Sequence, residues 1–246
     1  MSNHQVLDNI THKDLRVAKA ISTQFEASQS HSRVFLSELR DVQSEYPIFF
    51  QKDSSSGEFQ LIALFGFDQD ENMFMDDKTW NAQYIPLAIQ RRPFLIGFQE
   101  QHLQGQLVNE PVVFVDMDSK RINPPANIES ETVFLAQGGQ SPYLEHINSI
   151  LATIHEGHQA LPSFIQALNN LALIEPVSIK VELADGSHRE LNSLYTIAEE
   201  TLSKLNGNDL LSLHANGYLQ AVYMCIASIS NLSKLIDAKN KQLTTE

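Results

Sequence analysis

Three histidines and a glutamate in the middle of the chain are the side chains best suited to metal chemistry: His146, His155, Glu156 and His158. His155 and His158 are three positions apart, so on one helix they would share a face and could hold one ion. The run HEGH differs from HExxH because its second histidine comes one residue early, and Gly157 weakens a helix. The sequence predicts no metal site: His155 and His158 are the candidate ligands, and solvated polar residues at a helix end are the simpler interpretation.

An arginine pair, Arg91 and Arg92, lies within the aromatic and proline-containing stretch WNAQYIPLAIQRRPFLIGF. Guanidinium forks bind carboxylates and phosphates, which indicates a pocket for an anionic ligand. The residues predicted to form this pocket are Trp80, Tyr84, Arg91, Arg92 and Phe94. The alternative is a structural ion pair between one of the arginines and an acidic residue, with Glu38, Glu45 and Asp76 as the candidates.

Other reactive patterns are absent or ambiguous. Gly138 and Gly139 precede a helix that starts near Ser141, but the chain has neither GxGxxG nor GxxxxGK[ST], so this pair predicts a turn. The single cysteine, Cys225, falls among apolar residues of the last helix and is expected to be buried and inert. There is no GxSxG motif, and we assign no catalytic residue and no cofactor.

The bulk composition excludes several classes of function. The chain has 246 residues, 42% of them hydrophobic, and a formal net charge of −13, which is typical of a folded protein that does not bind nucleic acid or anionic membranes. One cysteine permits no intramolecular disulfide, and we find neither a signal sequence nor a transmembrane segment. We therefore expect a bacterial-type cytoplasmic protein, with signal-less export to the cell surface as the alternative.

The hydrophobic patterns predict an α+β fold whose N-terminal part, about residues 14–135, is β-rich with short helices. Strands are expected at 48–51, 58–67, 72–75, 94–98, 112–115 and 132–135, and helices at 38–45, capped by Ser37, and at 87–91. The polar residues 99–110 are expected to form a loop, and the acidic, proline-containing residues 116–127 a linker.

The C-terminal part, about residues 141–240, has mainly helical periodicity. One helix is expected to begin at Pro142 and to end at Gly157, and a second to span 162–173. A hairpin turning at Asp185 and Gly186 follows, and then helices at 198–205, 208–215 and 218–237. The apolar face of the last helix is expected to pack in the core, although an oligomer or partner-helix surface is the alternative.

Short motifs spread along the chain resemble those of the SapC-like family of bacterial proteins. The motifs that carry the resemblance are Phe35-Leu-Ser-Glu38, Glu45-Tyr-Pro-Ile48, Glu71-Asn-Met-Phe74, Trp80-Asn-Ala-Gln-Tyr-Ile-Pro86, Arg92-Pro-Phe94, Val133-Phe-Leu135, Gly139-Gln-Ser-Pro142, Leu144, Asp185-Gly186, Gly217-Tyr-Leu219 and Ser228-Ile-Ser-Asn-Leu232. Because they keep their order and spacing, we expect residues 1–246 to form a single SapC-like domain.

The resemblance implies an association with the bacterial surface layer. It also implies gene neighbours that encode halogenase-like proteins, cupin-like proteins and outer-membrane receptors. We accordingly predict a non-enzymatic protein that binds a protein partner or an envelope component, in which a homo-oligomer is possible. The alternative is a small-molecule binding protein or enzyme that uses the pocket near Trp80 and the two arginines, acting with halogenase-like or cupin-like partners.

Overall fold

A computed structural model describes residues 3–103 and 106–244, apart from the side chains of residues 100–109. The described strands are β1 (His4–Val6), β2 (Arg16–Ala18), β3 (His31–Arg33), β4 (Ile48–Lys52), β5 (Phe59–Leu64), β6 (Phe94–Leu103), β7 (Gln106–Asp116), β8 (Ser130–Thr132), β9 (Ile174–Glu182) and β10 (His188–Ile197). The described α-helices are α1 (Leu39–Glu45), α2 (Leu87–Gln90), α3 (Pro142–Asn170), α4 (Glu199–Ser203), α5 (Gly207–Ala215), α6 (Tyr218–Ser228) and α7 (Asn231–Leu243). A 3-10 helix, Leu36–Glu38, precedes α1. This order, rich in strands first and in helices later, confirms the predicted α+β class.

The chain divides into two compact units. The first unit comprises Met1–Ala27, Met75–Asn81 and Leu87–His155, and the second comprises Ser28–Phe74, Ala82–Pro86 and Glu156–Glu246. The prediction of a single domain stays a prediction.

The first unit contains a three-stranded antiparallel sheet in the order β1-β7-β6 and a two-stranded pairing of β2 with β8. The first half of α3 completes its core. The residues of this unit that are at most 6% exposed include Leu15, Val17, Ala18, Trp80, Phe94, Val115, Val133, Leu144, Ile147, Ile150 and Leu151. Burying these side chains is the main favourable term in the folding of the unit.

The second unit is built on a five-stranded antiparallel sheet in the order β3-β5-β4-β10-β9. Its core cluster consists of Phe49, Ile62, Leu64, Phe67, Val181, Leu183, Leu194 and Leu235. The predicted hairpin of β9 and β10 is confirmed, and its turn has Gly186 at φ +80°, a value that glycine adopts without strain. The predicted helix at 38–45 is also confirmed as α1. Its predicted cap was wrong, since Glu38 and not Ser37 occupies the N-cap position and no side chain caps the helix there.

Residues 99–110 were wrongly predicted as a loop. The two strands pair from Phe94 with Val115 to Leu103 with Gln106, and residues 104–105 lie outside the described residues. The pairing of β6 with β7 begins between the apolar residues Phe94 and Val115. A ladder of main-chain hydrogen bonds then continues it through the polar residues. A polar composition indicates exposure and does not by itself exclude a strand.

The helix was wrongly expected to end at Gly157, because α3 continues from Pro142 to Asn170. A Cβ on Gly157 would lie 2.8 Å from Cδ1 of the buried Phe35 ring, so this glycine provides space for an aromatic side chain. Pro162 removes one main-chain donor from the helix interior. Burial of Phe164 and Leu168, both fully inaccessible, offsets that loss.

Three smaller predictions also differ from the structure. Residues 72–75 form a turn in which Met75 makes one isolated bridge to Trp80, and β8 precedes the predicted strand 132–135. The last helix divides into α6 and α7 at a turn. The turn places Ser228 Oγ to accept the amide of Ile48 at 2.9 Å and the Asn231 amide to donate to the Gln43 carbonyl at 2.8 Å.

Residues Tyr218–Leu243 also bear on the expectation that no segment spans a membrane. They are long and apolar enough to do so by length and composition, with a mean hydropathy of 1.2 in the best window, 33% of which is buried. Core helices of soluble proteins meet the same criterion. Here Val222, Cys225 and Leu235 are buried, whereas Leu219, Ile226 and Ile229 are half-buried, so the apolar face packs in the core only in part.

Candidate functional site

The first unit has a cavity of about 420 Å³ beside the arginine pair. Arg91 and Arg92 follow the short helix α2, and Pro93 leads directly into β6. The opposite wall comes from residues after β2 and from the turn after β7. The lining residues are His4, Phe25, Glu26, Ala27, Arg91, Arg92, Pro93, Leu95, Asp116, Ser119 and Lys120. The volume is in the range of small-molecule sites.

Glu26 is the carboxylate that holds the arginines of this region together. Its Oε2 lies 3.1 Å from Arg92 Nη1, and its Oε1 lies 3.8 Å from Arg121 Nη1. The Glu26 side chain is only 9% exposed and that of Arg121 only 3%. Two guanidinium groups therefore share one buried carboxylate, which leaves an excess of positive charge at the cavity wall.

Arg121 is fixed in place by main-chain carbonyl groups. Its Nε and Nη2 donate to the Ala18 carbonyl at 3.1 and 2.8 Å, and its Nη1 donates to the Arg92 carbonyl at 2.6 Å. Carbonyl oxygens satisfy the guanidinium donors but carry no formal negative charge. Arg121 therefore orders the chain at Arg92 while its charge adds to the positive potential.

Tyr143, on the first turn of α3, does not neutralise this charge. Burial raises the pKa of Tyr143 to about 12, with a further rise from Glu131 and Glu26 and an opposing effect of Arg121. The phenol is therefore neutral at ordinary pH. Its hydroxyl has no hydrogen-bond partner among residues 3–103 and 106–244.

The structure divides the five predicted pocket residues among different environments. Arg91 and Arg92 line the cavity, and Arg91 Nη1 also donates to the Phe94 carbonyl at 2.7 Å. Trp80 and Phe94 are 6% and 0% exposed and belong to the core of the first unit. Tyr84 belongs to the second unit, where its hydroxyl donates to Glu38 Oε2 at 2.8 Å.

The sequence predicted neither the ion-pair partner of Arg92 nor all of the residues that line the cavity. Arg92 forms the structural ion pair that was the alternative prediction, but with Glu26 and not with the predicted candidates Glu38, Glu45 and Asp76. Asp116 and Lys120 fall in the segment expected to be a linker, yet both line the cavity. Asp116 ends β7 and Lys120 follows four residues later, so the pairing of β7 with its neighbouring strands brings both to the cavity.

The two candidate metal ligands each contact an aromatic ring. In the first unit, His155 lies 5.7 Å from the Phe98 ring, and in the second, His158 lies 5.0 Å from the Phe35 ring in an edge-to-face arrangement. Within the part of the chain that the structure describes, no group of three or more His, Cys, Asp or Glu residues could hold a metal ion.

Gly138 and Cys225 have the local environments expected from the sequence. Gly138 has a φ of +88° in a turn, and its carbonyl accepts the Asn9 side-chain amide at 2.9 Å. Cys225 is buried, which raises the pKa of its thiol to about 12. A protonated thiol is a poor nucleophile.

These features define an antiparallel α+β protein with a cation-lined cavity in one of its two units. The family model SapC matches residues 7–235, and the chain belongs to the SapC family. No curated protein and no solved structure matches the chain.

Proposed function

We propose that this SapC-family protein is a binding protein and that the cavity beside Arg91 and Arg92 receives an anionic ligand. The observation that carries the proposal is the positive excess in this cavity of a chain whose net charge is −13. Three cationic side chains, Arg91, Arg92 and Lys120, line it against two carboxylates, and Arg121 lies behind Glu26.

The chemistry of the wall favours a carboxylate or a phosphate. Guanidinium groups bind planar anions through paired hydrogen bonds, and partial burial strengthens the interaction by lowering the local dielectric constant. Arg92 and Glu26 already form an ion pair, so Arg92 serves mainly to shape the wall. Arg91 and Lys120 are the residues proposed to contact the ligand.

Titration calorimetry with propanoate and inorganic phosphate tests this proposal. We expect the double variant Arg91→Gln/Lys120→Gln to weaken binding of the preferred anion at least about tenfold, because two charged contacts are lost. The matched control is Arg40→Gln, which removes an exposed arginine of the second unit. Unchanged affinity in the double variant, or no binding of either anion to the unmodified protein, would overturn the proposal.

A partner protein is the second candidate, favoured by exposed apolar side chains in the first unit. Val6, Ile10 and Leu135 are 40%, 82% and 39% exposed. A second cavity of about 470 Å³, lined by Val6, Phe134 and Gly138 among others, lies in the same region. Exposed apolar patches often mark protein interfaces. For this candidate we also propose a cytoplasmic location and an association with the surface layer, which the family resemblance implies.

Affinity capture from the native cell tests the partner candidate. We expect a protein retained by the unmodified chain to be lost with Ile10→Ser/Leu135→Ser. It should be retained by Leu211→Ser, which changes an equally apolar, 65% exposed residue of the second unit. Capture that is equal in all three proteins would count against an interface in this region.

A further inference from the structure

The cavity beside the arginine pair also presents a carboxylate that anion binding does not use. Asp116 is the last residue of β7, and Lys120 follows it on the next turn; both line the cavity. Asp116 Oδ1 accepts the amide of Asp118 at 3.2 Å, which orients the carboxylate and leaves Oδ2 available. Neither Asp116 nor Lys120 has an ion-pair partner among the residues that the structure describes.

Glu26, the other carboxylate of the cavity, is held by the arginines. Arg92 occupies its Oε2, whereas the buried Oε1 has no hydrogen-bond partner in residues 3–103 and 106–244. Arg121 Nη1 lies 3.8 Å from this oxygen, so the charge of Glu26 is already matched by the two guanidinium groups. Asp116 is therefore the cavity carboxylate that faces the cationic wall without an ion-pair partner among the described residues.

We infer that the ligand is a zwitterion of the α-amino-acid class. Arg91 and Lys120 hold its carboxylate, and Asp116 holds its ammonium group. Phe25 and Leu95 offer apolar surface to an aliphatic side chain. This inference rests on the proposed function, since the carboxylate contacts are those of the anion site.

Calorimetry on the full chain with three matched compounds tests the inference. L-leucine carries both charges, 4-methylpentanoate lacks the ammonium group, and 3-methylbutan-1-amine lacks the carboxylate. We expect L-leucine to bind at least about tenfold more tightly than either analogue, because each charge finds its own partner. Asp116→Asn should abolish the preference, so that L-leucine binds this variant no more tightly than 4-methylpentanoate does. The asparagine retains an acceptor for the Asp118 amide, so the turn is preserved.

Asp77→Asn, at an exposed aspartate of the first unit that does not line the cavity, is the matched control and should bind L-leucine normally. If 4-methylpentanoate binds as tightly as L-leucine and loses affinity in Arg91→Gln, the zwitterion inference fails and the anion site stands. If none of the three compounds binds but propanoate or phosphate does, the zwitterion inference fails and the anion site stands. If only the amine binds, and neither propanoate nor phosphate does, both proposals fail.

Discussion

The hydroxyl of Tyr84 donates a 2.8 Å hydrogen bond to Oε2 of Glu38, and this contact joins two of the family motifs within the second unit. The other carboxylate oxygen of Glu38 accepts the Phe35 amide, and the Tyr46 hydroxyl donates to the Tyr84 carbonyl at 2.5 Å. Burial and the neighbouring Glu38 raise the pKa of Tyr84, so the phenol stays a donor. These motif residues therefore form a structural network.

Tyr84→Phe should destabilise the second unit by about 1–3 kcal/mol, because the Glu38 carboxylate, 3% exposed, loses a hydrogen-bond donor inside the protein. Urea unfolding followed by circular dichroism measures the change. Tyr223→Phe, at a tyrosine that is 54% exposed, should change stability little. Equal stability of the two variants would contradict a structural role of this hydrogen bond.

Gly157→Ala should lower the unfolding temperature, although alanine ordinarily favours a helix. The added Cβ would lie 2.8 Å from the Phe35 ring, which is 3% exposed and has little room to move. We expect a cost of about 1–3 kcal/mol from overpacking. Gly207→Ala is the control, since nothing lies within 4 Å of its added Cβ and it should be neutral or stabilising. A stabilised Gly157→Ala would show that the helix is free to shift.

Lys239→Met should destabilise the second unit strongly. The lysine is 7% exposed, and its ammonium contacts Glu71 Oε1. Removing it leaves a buried carboxylate without its cation, at a cost of about 3 kcal/mol. The double variant Lys239→Met/Glu71→Gln should recover part of the loss in urea unfolding. Lys204→Met removes a lysine that is 69% exposed and pairs with Glu200, so it should change the free energy of unfolding little. No recovery in the double variant would show that Glu71 acts mainly through the Phe67 amide, which it accepts at 2.8 Å.

Cys225 should make stability fall in alkaline solution. Burial raises the pKa of its thiol from 9.0 to about 12 in the folded protein. The contribution of the protonated thiol to the free energy of unfolding is therefore complete below pH 9. It is lost as the pH rises towards 12, because the thiol of the unfolded chain ionises first. The slope from this one proton is about 1.4 kcal/mol per pH unit. Cys225→Ala should show a shallower decline in unfolding free energy above pH 9. Identical pH profiles would contradict burial of the thiol.

Local signals in the sequence predicted the local structure well. Asp185 and Gly186 specify the turn between β9 and β10 because the turn geometry depends on those residues alone. Gly157 was misinterpreted because its reason lies in Phe35, a residue far away in sequence. The end of a helix and a close contact both select glycine, and only the fold distinguishes them.

The candidate site was predictable only in part for the same reason. Arg91 and Arg92 were identified because adjacent arginines are a local pattern. Glu26, Asp116 and Lys120 were missed, since they join the cavity only when β1, β6 and β7 pair. Arg121 carried no local signal of burial, because its carbonyl partners at Ala18 and Arg92 are distant in sequence.

The division of the chain between two units has a consequence for biosynthesis. The polypeptide passes from one unit to the other five times, and the last segment of the first unit ends only at His155. During translation the N-terminal residues must therefore wait for Leu87–His155 to leave the ribosome, and Ser28–Phe74 must wait for the C-terminal helices. The first unit therefore cannot be completed before residue 155 has been synthesised, nor the second before α7 has been, so apolar segments of each stay uncovered for much of synthesis.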